Sequence, residues 1–330
     1  MISGLFIFLV SMLSLGAIYA VLCMALNLES GVGGLWDLGI VSFFGVGAYT
    51  YVILTAPPAA DYQAYIFGFE LPVWIGVIAA MAAGALCALL IGPPTLRLKR
   101  EYFLITTLAF AEVIRQLLTN EEWLTNGVAG IYGLRQPLRD AFESGSYGFV
   151  MLGILVAGLV VVYLINRHLI AAPFGRALKA IRENEPLAIT AGITPRRQNL
   201  MVYVLAGAIS GLAGVFYVWF NTIVTPGQFT SDVTFFVWTA LIIGGLGSLR
   251  GAIAGGFIFV ILHDILRFIP VSGEAAATVA SLRTALIGLV LVLILRWRPN
   301  GIFPERPVVF DPAGKAPPAT GSRAVVSGNA

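Results

Sequence analysis

Long apolar runs dominate this chain, and short polar stretches separate them. A transmembrane helix needs about 20 predominantly apolar residues in a row. Runs of this kind fall near residues 3–28, 72–96, 102–119, 147–166, 197–220 and 282–296. None of them shows the strict alternation over about ten residues that is typical of a membrane barrel strand. The pattern therefore predicts a polytopic bundle of transmembrane helices.

Two further apolar stretches differ from these runs because glycine recurs in them. Residues 31–56 read G-V-G-G-L-W-D-L-G-I-V-S-F-F-G-V-G-A-Y-T-Y-V-I-L-T-A, and residues 235–268 contain G-G-L-G-S-L-R-G-A-I-A-G-G. In lipid, glycine permits close helix packing, or a broken helix where a cavity supplies hydrogen-bond partners. Small-residue packing is one interpretation, and a translocation pathway or gate is the other. The candidates are Gly31, Gly33, Gly34, Gly45, Gly47, Gly244, Gly245, Gly247 and Gly251.

The cationic residues predict how the helices are oriented. Arg97, Lys99 and Arg100 follow one run, residues 167–197 follow another, and Arg296 and Arg298 follow the last. Short loops rich in lysine and arginine lie on the cytoplasmic side. With a helix break between the two glycines Gly244 and Gly251, nine crossings follow, with the N-terminus outside and the C-terminus inside. Re-entrant glycine-rich helices would change this number, so eight to ten spans are expected.

Composition supports a membrane protein and limits the other classes. Of 330 residues, 58% are hydrophobic and 11% are charged, with a mean hydropathy of +0.89. A soluble domain carries about 25% charged residues. The net charge of +3 lies mostly in loops, so it indicates orientation and not a nucleic-acid partner. Residues 299–330, rich in proline, glycine, serine and alanine, predict a disordered cytoplasmic tail after a transmembrane domain at 1–298.

The most unusual stretch is the basic segment at residues 167–197, between two apolar halves of the chain. Its cations outnumber its two acids, Glu183 and Glu185. The cations are Arg167, Arg176, Lys179, Arg182, Arg196 and Arg197. Such a segment lies on an anionic membrane surface or docks into the groove of a partner, and the residues alone leave both alternatives open.

Two short helices are predicted inside this basic segment. Residues 174–184 contain no proline, and Leu178 and Ile181 share one face while the cations share another. Pro186 should end the first helix, because it disfavours helical backbone in the residue before it. A second helix is expected over residues 187–191, and Gly192 suits its left-handed C-terminal cap.

Ionisable side chains inside the apolar runs are costly and therefore informative. Glu112 and Arg115 stand three residues apart in the run at 102–119, and Asp264 and Arg267 repeat this spacing beside His263. Each pair is expected to be an ion pair that neutralises itself and fixes a helix, or to line a path for a zwitterionic solute.

No catalytic or metal site is predicted, and no cofactor is expected in this chain. His168 and His263 lie far apart in sequence, and Cys23 and Cys87 both fall in apolar runs. A phosphate-binding loop would need G-x-x-x-x-G-K-[ST], and the pair Gly314–Lys315 is followed by Ala316. Active transport would therefore need ATP hydrolysis by another subunit.

Several stretches resemble one family of permeases in order and spacing. They are S-F-F-G-V-G-A-Y-T, R-L-K-R-E-Y-F-L-I-T-T-L-A-F-A-E-V-I-R, G-R-A-L-K-A-I-R-E-N-E-P-L-A-I-T-A-G-I, G-A-I-S-G-L-A-G-V-F-Y, I-I-G-G-L-G-S-L-R-G and R-P-N-G-I-F. The chain to about Phe303 is similar to the LivH/LivM branched-chain amino acid permeases of ABC importers. The R-L-K-R-E-Y-F stretch favours the LivM type.

The resemblance implies an all-α, type II ABC importer permease in a bacterial inner membrane. It implies a sister LivH-like permease, two ATP-binding subunits and a periplasmic binding protein as partners. The basic segment would then be the coupling helix that enters a groove of an ATPase. The coupling residues implied are Gly175, Arg176, Lys179, Arg182, Glu183, Asn184, Glu185, Ala188 and Gly192.

The chain departs from the family at two places where a solute could pass. It has G-L-W-D-L-G-I, with Trp36 and Asp37, where the family usually has a G-Q-L-S-L-G-H-like run. It has T-N-G-V-A-G-I where T-G-G-x-x-G-I is common. Urea, a short amide or another small polar solute is therefore an alternative to a neutral amino acid. An ion-coupled secondary carrier, with Glu112 or Asp264 as a proton site, is a second alternative.

Overall fold

The computed structural model describes residues 2–59, 63–139, 142, 147–265 and 296–305, together with 285, 288–289 and 292–293. It is a bundle of α-helices. The helices are α1 Ile2–Leu26, α2 Ile40–Thr55, α3 Val73–Thr95, α4 Arg100–Asn120, α5 Glu122–Thr125, α6 Tyr147–Ala171, α7 Pro173–Glu183, α8 Glu185–Thr190, α9 Pro195–Asn221, α10 Ser231–Gly244 and α11 Leu249–Ile265. A π-helical turn, Asn27–Val32, continues α1, and short 3₁₀ turns lie at Gly127–Ala129 and Pro226–Gln228.

Five helices of the described residues are long and apolar enough to cross a membrane. They are Phe6–Val32, which includes the π-helical turn, Val73–Thr95, Arg100–Asn120, Tyr147–Ala171 and Pro195–Asn221. Each matches a predicted apolar run, so the all-α membrane fold is confirmed. The sixth run, at 282–296, lies mostly outside the described residues. The number of eight to ten crossings stays a prediction.

Helix α9 lies at the centre of the bundle, packed against α2 and α3, while α1 packs against α6, α9 and α11. Small residues allow the closest approaches. A Cβ at Gly47 of α2 would clash with the backbone of Gly211 in α9, and a Cβ at Gly84 of α3 would clash with the carbonyl of Gly207. Glycine at such contacts lets helices pack through dispersion where lipid offers no hydrophobic driving force.

Both glycine-rich stretches contain a helix break. In the first, the chain leaves the π-helical turn at Gly33 and begins α2 at Ile40; in the second, α10 ends at Gly244 and α11 begins at Leu249. Gly245 and Gly247 have positive φ angles of 120° and 82°, which explains why glycine is needed there. The helices α2 and α10, which lie beside the breaks, have 16 and 14 residues. At 1.5 Å per residue, both are shorter than the bilayer core of about 30 Å.

The loops at 120–146 and 221–233, which the predicted orientation of the helices places on the external side, meet in a small antiparallel sheet. Strand β1, Ile131–Tyr132, pairs with β2, Ile223–Val224. Just before β1, Asn126 has a left-handed φ of 61°, at the position where the family commonly has glycine. Its side-chain amide donates to the Gly130 carbonyl at 2.6 Å and accepts from the Ala64 N–H at 2.9 Å. Asparagine tolerates this backbone region better than most residues do, so the T-N-G departure preserves the turn.

Residues 301–305 pack back onto the bundle, although the composition of residues 299–330 predicted a disordered tail. The N–H groups of Ile302 and Phe303 donate to the carbonyls of Ile243 and Gly244 at 3.0 and 2.8 Å. These carbonyls belong to the last turn of α10, where a helix lacks partners of its own. The packed part of the chain therefore extends at least to Glu305.

Candidate functional site

The predicted coupling segment forms two short helices, α7 and α8, between the long helices α6 and α9. Gly175 lies at the corner from α6 into α7, where a Cβ would clash with the backbone of Ile170. Leu178 and Ile181 are buried, as the amphipathic pattern indicated. Helix α7 is therefore held against the bundle by its apolar face.

The boundary between the two helices lies at Asn184, two residues before the proline that was expected to end the first one. Asn184 has extended backbone, and its side-chain oxygen accepts from the Leu187 N–H at 3.0 Å as the N-cap of α8. Pro186 lies in the first turn of α8, where its missing N–H costs nothing. Ala188 is buried, and Gly192 follows the helix with a φ of 82°. Pro186 therefore begins the second helix, and Asn184 separates the two.

Two of the predicted docking cations are occupied within the chain. Lys179 Nζ lies 2.7 Å from Oε1 of Glu305, and Arg182 Nη2 lies 2.9 Å from Oε2 of the same carboxylate. Arg182 also donates to the carbonyl of Gly31. The single carboxylate neutralises one of the two positive charges, and both cationic side chains are about three-quarters buried, which limits their access to anionic lipid or to a partner, whereas Arg176 is exposed.

The outward surface of this segment consists of apolar and acidic side chains on α8 and the end of α7. Leu187 is 66% exposed and Ile189 is 54% exposed, beside the exposed acids Glu183 and Glu185. Exposed leucine and isoleucine next to charges are typical of a helix that docks into an apolar groove. We call residues Glu183, Glu185, Leu187 and Ile189 the docking face.

The π-helical turn that leads into the first break contacts the second break. The Gly247 N–H donates to Oδ1 of Asn27 at 2.8 Å, and a Cβ at Gly31 would approach the same two groups too closely. A Cβ at Gly34 would meet the side chain of Arg182. The role of Asn27 could not be predicted from the sequence, because a single asparagine beside a glycine-rich stretch has many interpretations.

The candidate pathway glycines all have close neighbours in this conformation. A Cβ at Gly45 would meet the ring of Phe229, and a Cβ at Gly244 would clash with the backbone of Gly251. Added Cβ atoms at Gly245 and Gly247 would meet the Phe303 carbonyl and the Glu305 carboxylate. These contacts fit the packing interpretation, while their role in a pathway stays a prediction.

The family departure at Trp36 and Asp37 is part of the first break. The Trp36 ring centroid lies 5.5 Å from the Trp238 ring centroid of α10. The guanidinium of Arg100, in α4, lies 4.1 Å from the Trp36 centroid. Trp238 Nε1 donates to the Asp37 carbonyl at 2.7 Å, and Asp37 Oδ1 accepts from the Gly39 N–H at 2.9 Å. Asp37 lies between the spans and is fully buried, and this burial raises the pKa of its carboxyl to about 6.

Glu112 and Arg115 form the ion pair that their spacing predicted. Arg115 Nε lies 3.0 Å from Glu112 Oε2, and Gln116 Nε2 donates to Glu112 Oε1 at 3.1 Å. The Glu112 side chain is 46% exposed on the surface of α4. A charged pair exposed on a helix that is long enough to span the membrane needs water or another protein beside it, because lipid would leave it unsolvated.

The second predicted pair is only partly described. Arg267 lies outside the described residues, and Asp264 Oδ1 lies 3.2 Å from His263 Nδ1. Both side chains line a cavity of about 550 Å³, together with Tyr19, Tyr217 and Asn221. This cavity between α1, α9 and α11, which Phe8, Met12, Leu15 and Phe220 also line, is a second candidate for part of a solute path.

Comparison with known proteins identifies the family. The family model for the permease component of branched-chain amino acid transport systems matches residues 8–295. The chain belongs to this family. It is 32% identical over 318 residues to the high-affinity branched-chain amino acid transport permease LivM of Escherichia coli, covering 89% of this chain and 70% of that protein. No solved structure was found to match the chain.

Two archaeal relatives extend the comparison to both types of branched-chain permease. The probable LivM permease of Methanocaldococcus jannaschii is 28% identical over 338 residues, covering 93% of this chain and 96% of the relative. The probable LivH permease of the same organism is 32% identical over 125 residues, covering 37% of this chain and 39% of the relative. The branched-chain permease similarity is therefore of the LivM type over nearly the whole chain, and the protein is a multi-pass membrane permease.

Proposed function

We propose that this permease is the membrane subunit of an ABC importer that carries branched-chain or related neutral amino acids across a bacterial inner membrane. A periplasmic binding protein would deliver the solute, and two separate ATPase subunits would supply the energy. The named substrate of the LivM relatives supports the solute class. The absence of a phosphate-binding sequence in this chain is consistent with ATP hydrolysis elsewhere.

The observation that carries this proposal is the docking face on α7 and α8. Helix α7 is anchored inward by buried Leu178 and Ile181, whereas Leu187 and Ile189 of α8 point outward with acids beside them. An anchored helix with an exposed apolar face suits insertion into a groove of the ATPase. Movement of that groove would then be transmitted to the bundle through α7.

A LivH-like sister permease would cover the exposed polar group on α4. Glu112, Arg115 and Gln116 form one hydrogen-bonded group on a helix long enough to span the membrane. Lipid cannot solvate this group, whereas a path between two permeases would supply water, and a zwitterionic amino acid would find both charges there. The alternative is a fixed ion pair that packs against the sister subunit.

Uptake in proteoliposomes tests the proposal directly. The permease is reconstituted with its candidate sister, ATPases and binding protein, and entry of labelled leucine is measured with and without ATP. We expect uptake only with ATP inside and binding protein outside. Uptake driven by a proton gradient without ATP would instead establish a secondary carrier. Uptake of labelled urea or acetamide but not leucine would support the alternative solute.

The docking face is tested by Leu187→Asp. Burial of a leucine side chain in an apolar groove contributes about 1.5–3 kcal/mol, so its loss should weaken ATPase binding about tenfold or more. Binding is measured by titrating the detergent-solubilised permease with the ATPase. The matched control is Leu138→Asp, another exposed leucine, which lies in the loop between α5 and α6 on the predicted external side. Equal binding by both variants would contradict the docking face.

A further inference from the structure

One carboxylate near the end of the described chain joins parts of the molecule that are far apart in sequence. Glu305 Oε1 lies 2.7 Å from Lys179 Nζ, and Glu305 Oε2 lies 2.9 Å from Arg182 Nη2. All three side chains are about three-quarters buried. Because each oxygen has its own cation, the carboxylate fixes the position of two successive turns of α7.

The backbone beside Glu305 is attached to a different element. Ile302 and Phe303 donate to the carbonyls that end α10, and Gly301 reaches this position with a left-handed φ of 77°. Gly247, in the break after α10, lies so close that a Cβ there would meet the Glu305 carboxylate. Residues 301–305 therefore bridge α7 and the α10–α11 break; we call them the C-terminal bridge.

The first break contacts the same group of residues. Arg182, one of the two cations on Glu305, also donates to the Gly31 carbonyl, and Asn27 accepts from the Gly247 N–H. Both breaks and the coupling helix thus meet within a few side chains. If α7 shifts, the α10–α11 break moves with it, or else the two ion pairs or the hydrogen bonds to α10 are lost.

We propose that Glu305 is a positioning residue for transport, which transmits movement of α7 to the α10–α11 break through the C-terminal bridge. The inference rests on the proposed function for the direction of the signal, but the mechanical link itself does not. In the bridged arrangement, the break follows α7 when an ATPase moves it. Without the carboxylate, α7 still docks to the ATPase but moves independently of the break.

The link is tested first on the purified full chain without any partner. Hydrogen exchange is compared between the natural chain and Glu305→Gln, which keeps the shape but removes the charge. We expect exchange to become about fivefold faster or more at Ile302 and Phe303 and also in the last turn of α7. Unchanged exchange in either place would overturn the link, whether or not the protein transports amino acids.

The second test separates transport from ATP hydrolysis in the reconstituted importer. Glu305→Gln is expected to leave ATPase activity within about twofold while lowering leucine uptake per ATP by about fivefold or more. The charge exchange Lys179→Glu with Glu305→Lys should restore part of this coupling. The control is Glu101→Gln, an exposed acid in the first turn of α4, which should change neither quantity.

The outcomes distinguish this inference from the proposed function. A natural chain that shows no ATP-dependent uptake overturns the proposed function, while hydrogen exchange still decides the link. Uptake per ATP that is unchanged in Glu305→Gln overturns the positioning role. Equal loss of ATP hydrolysis and uptake would also overturn it, because Glu305 would then act on ATPase docking.

Discussion

The two helix breaks are closed in different ways. The break at residues 33–39 is closed by the bundle itself, since the Leu38 N–H donates to Thr107 of α4 at 3.0 Å and Trp238 of α10 donates to Asp37. The break at residues 245–248 is closed by the C-terminal bridge and by Asn27. The first therefore belongs to the core, and the second depends on elements that can move with α7.

This difference indicates which break is the better candidate for a gate. The first break is held by hydrogen bonds from α4 and α10, and Arg182 of α7 contacts it only at its edge, at Gly34. The α10–α11 break takes hydrogen bonds from a short segment that is itself fixed by an exposed coupling helix. We therefore expect the second break to change during transport and the first to stay fixed.

The largest effect is expected for Gly244→Leu. The added side chain would clash with the Gly251 backbone, where neither helix can yield without separating α10 from α11. We expect destabilisation of about 3 kcal/mol, the upper part of the range for overpacked sites, and loss of uptake. Thermal unfolding in detergent measures this. Gly153→Leu is the control, because among the described residues nothing lies within 4 Å of a Cβ there; equal melting temperatures for the two variants would contradict the prediction.

A smaller effect is expected for Asp37→Asn, which tests whether the first break is part of the core. Burial raises the pKa of Asp37 from 3.8 to about 6, so the folded chain binds this proton more tightly than the unfolded chain. The resulting stabilisation is present below about pH 4 and is lost as the pH rises through about 6. Asparagine carries no charge and keeps an oxygen for the Gly39 N–H.

The variant should therefore be the more stable protein above pH 6, by about 2 kcal/mol or less. The melting temperature of both proteins is followed from pH 4 to pH 8, and their difference should grow between pH 4 and 6 and then level off. Uptake should change little, because the first break is expected to stay fixed. A difference that does not depend on pH would show that Asp37 does not titrate in this window.

The smallest effect is expected for Asn27→Ala, which removes the hydrogen bond between the π-helical turn before the first break and Gly247 of the second break. Loss of the acceptor for the Gly247 N–H should cost about 1 kcal/mol, more if the group stays buried and unpaired. We expect a slightly lower melting temperature and a larger relative change in uptake per ATP. The matched variant Asn120→Ala changes an exposed asparagine at the end of α4. Equal uptake per ATP in the two variants would show that the Asn27 hydrogen bond has no role in transport.

The sequence predicted the long helices well because the bilayer imposes one length and one composition on them. The short helix α7 was harder to predict, yet the periodicity of Leu178 and Ile181 correctly indicated its buried face. Glu112 and Arg115 were predicted as an ion pair because a spacing of three residues within one helix fixes their distance. Local spacing was sufficient in each of these cases.

Contacts between distant segments could not be predicted in this way. Lys179 and Arg182 look like free docking cations in the sequence, since their partner Glu305 lies more than 120 residues later, in a stretch whose composition is typical of a tail. Pro186 suggested a helix end, whereas the Asn184 cap makes it a helix start. Both differences arise because the sequence pattern shows which residues are charged or rigid, but not what they meet.

The C-terminal bridge also has a practical consequence for purification. An affinity tag or fluorescent fusion joined directly after the last basic cluster, at residue 298, would delete Glu305 while keeping the whole region that the family model matches. Such a protein would be expected to enter the membrane and bind its ATPase, yet hydrolyse ATP without matching uptake. A tag joined after Ala330 keeps the bridge and avoids mistaking a truncation for an inactive transporter.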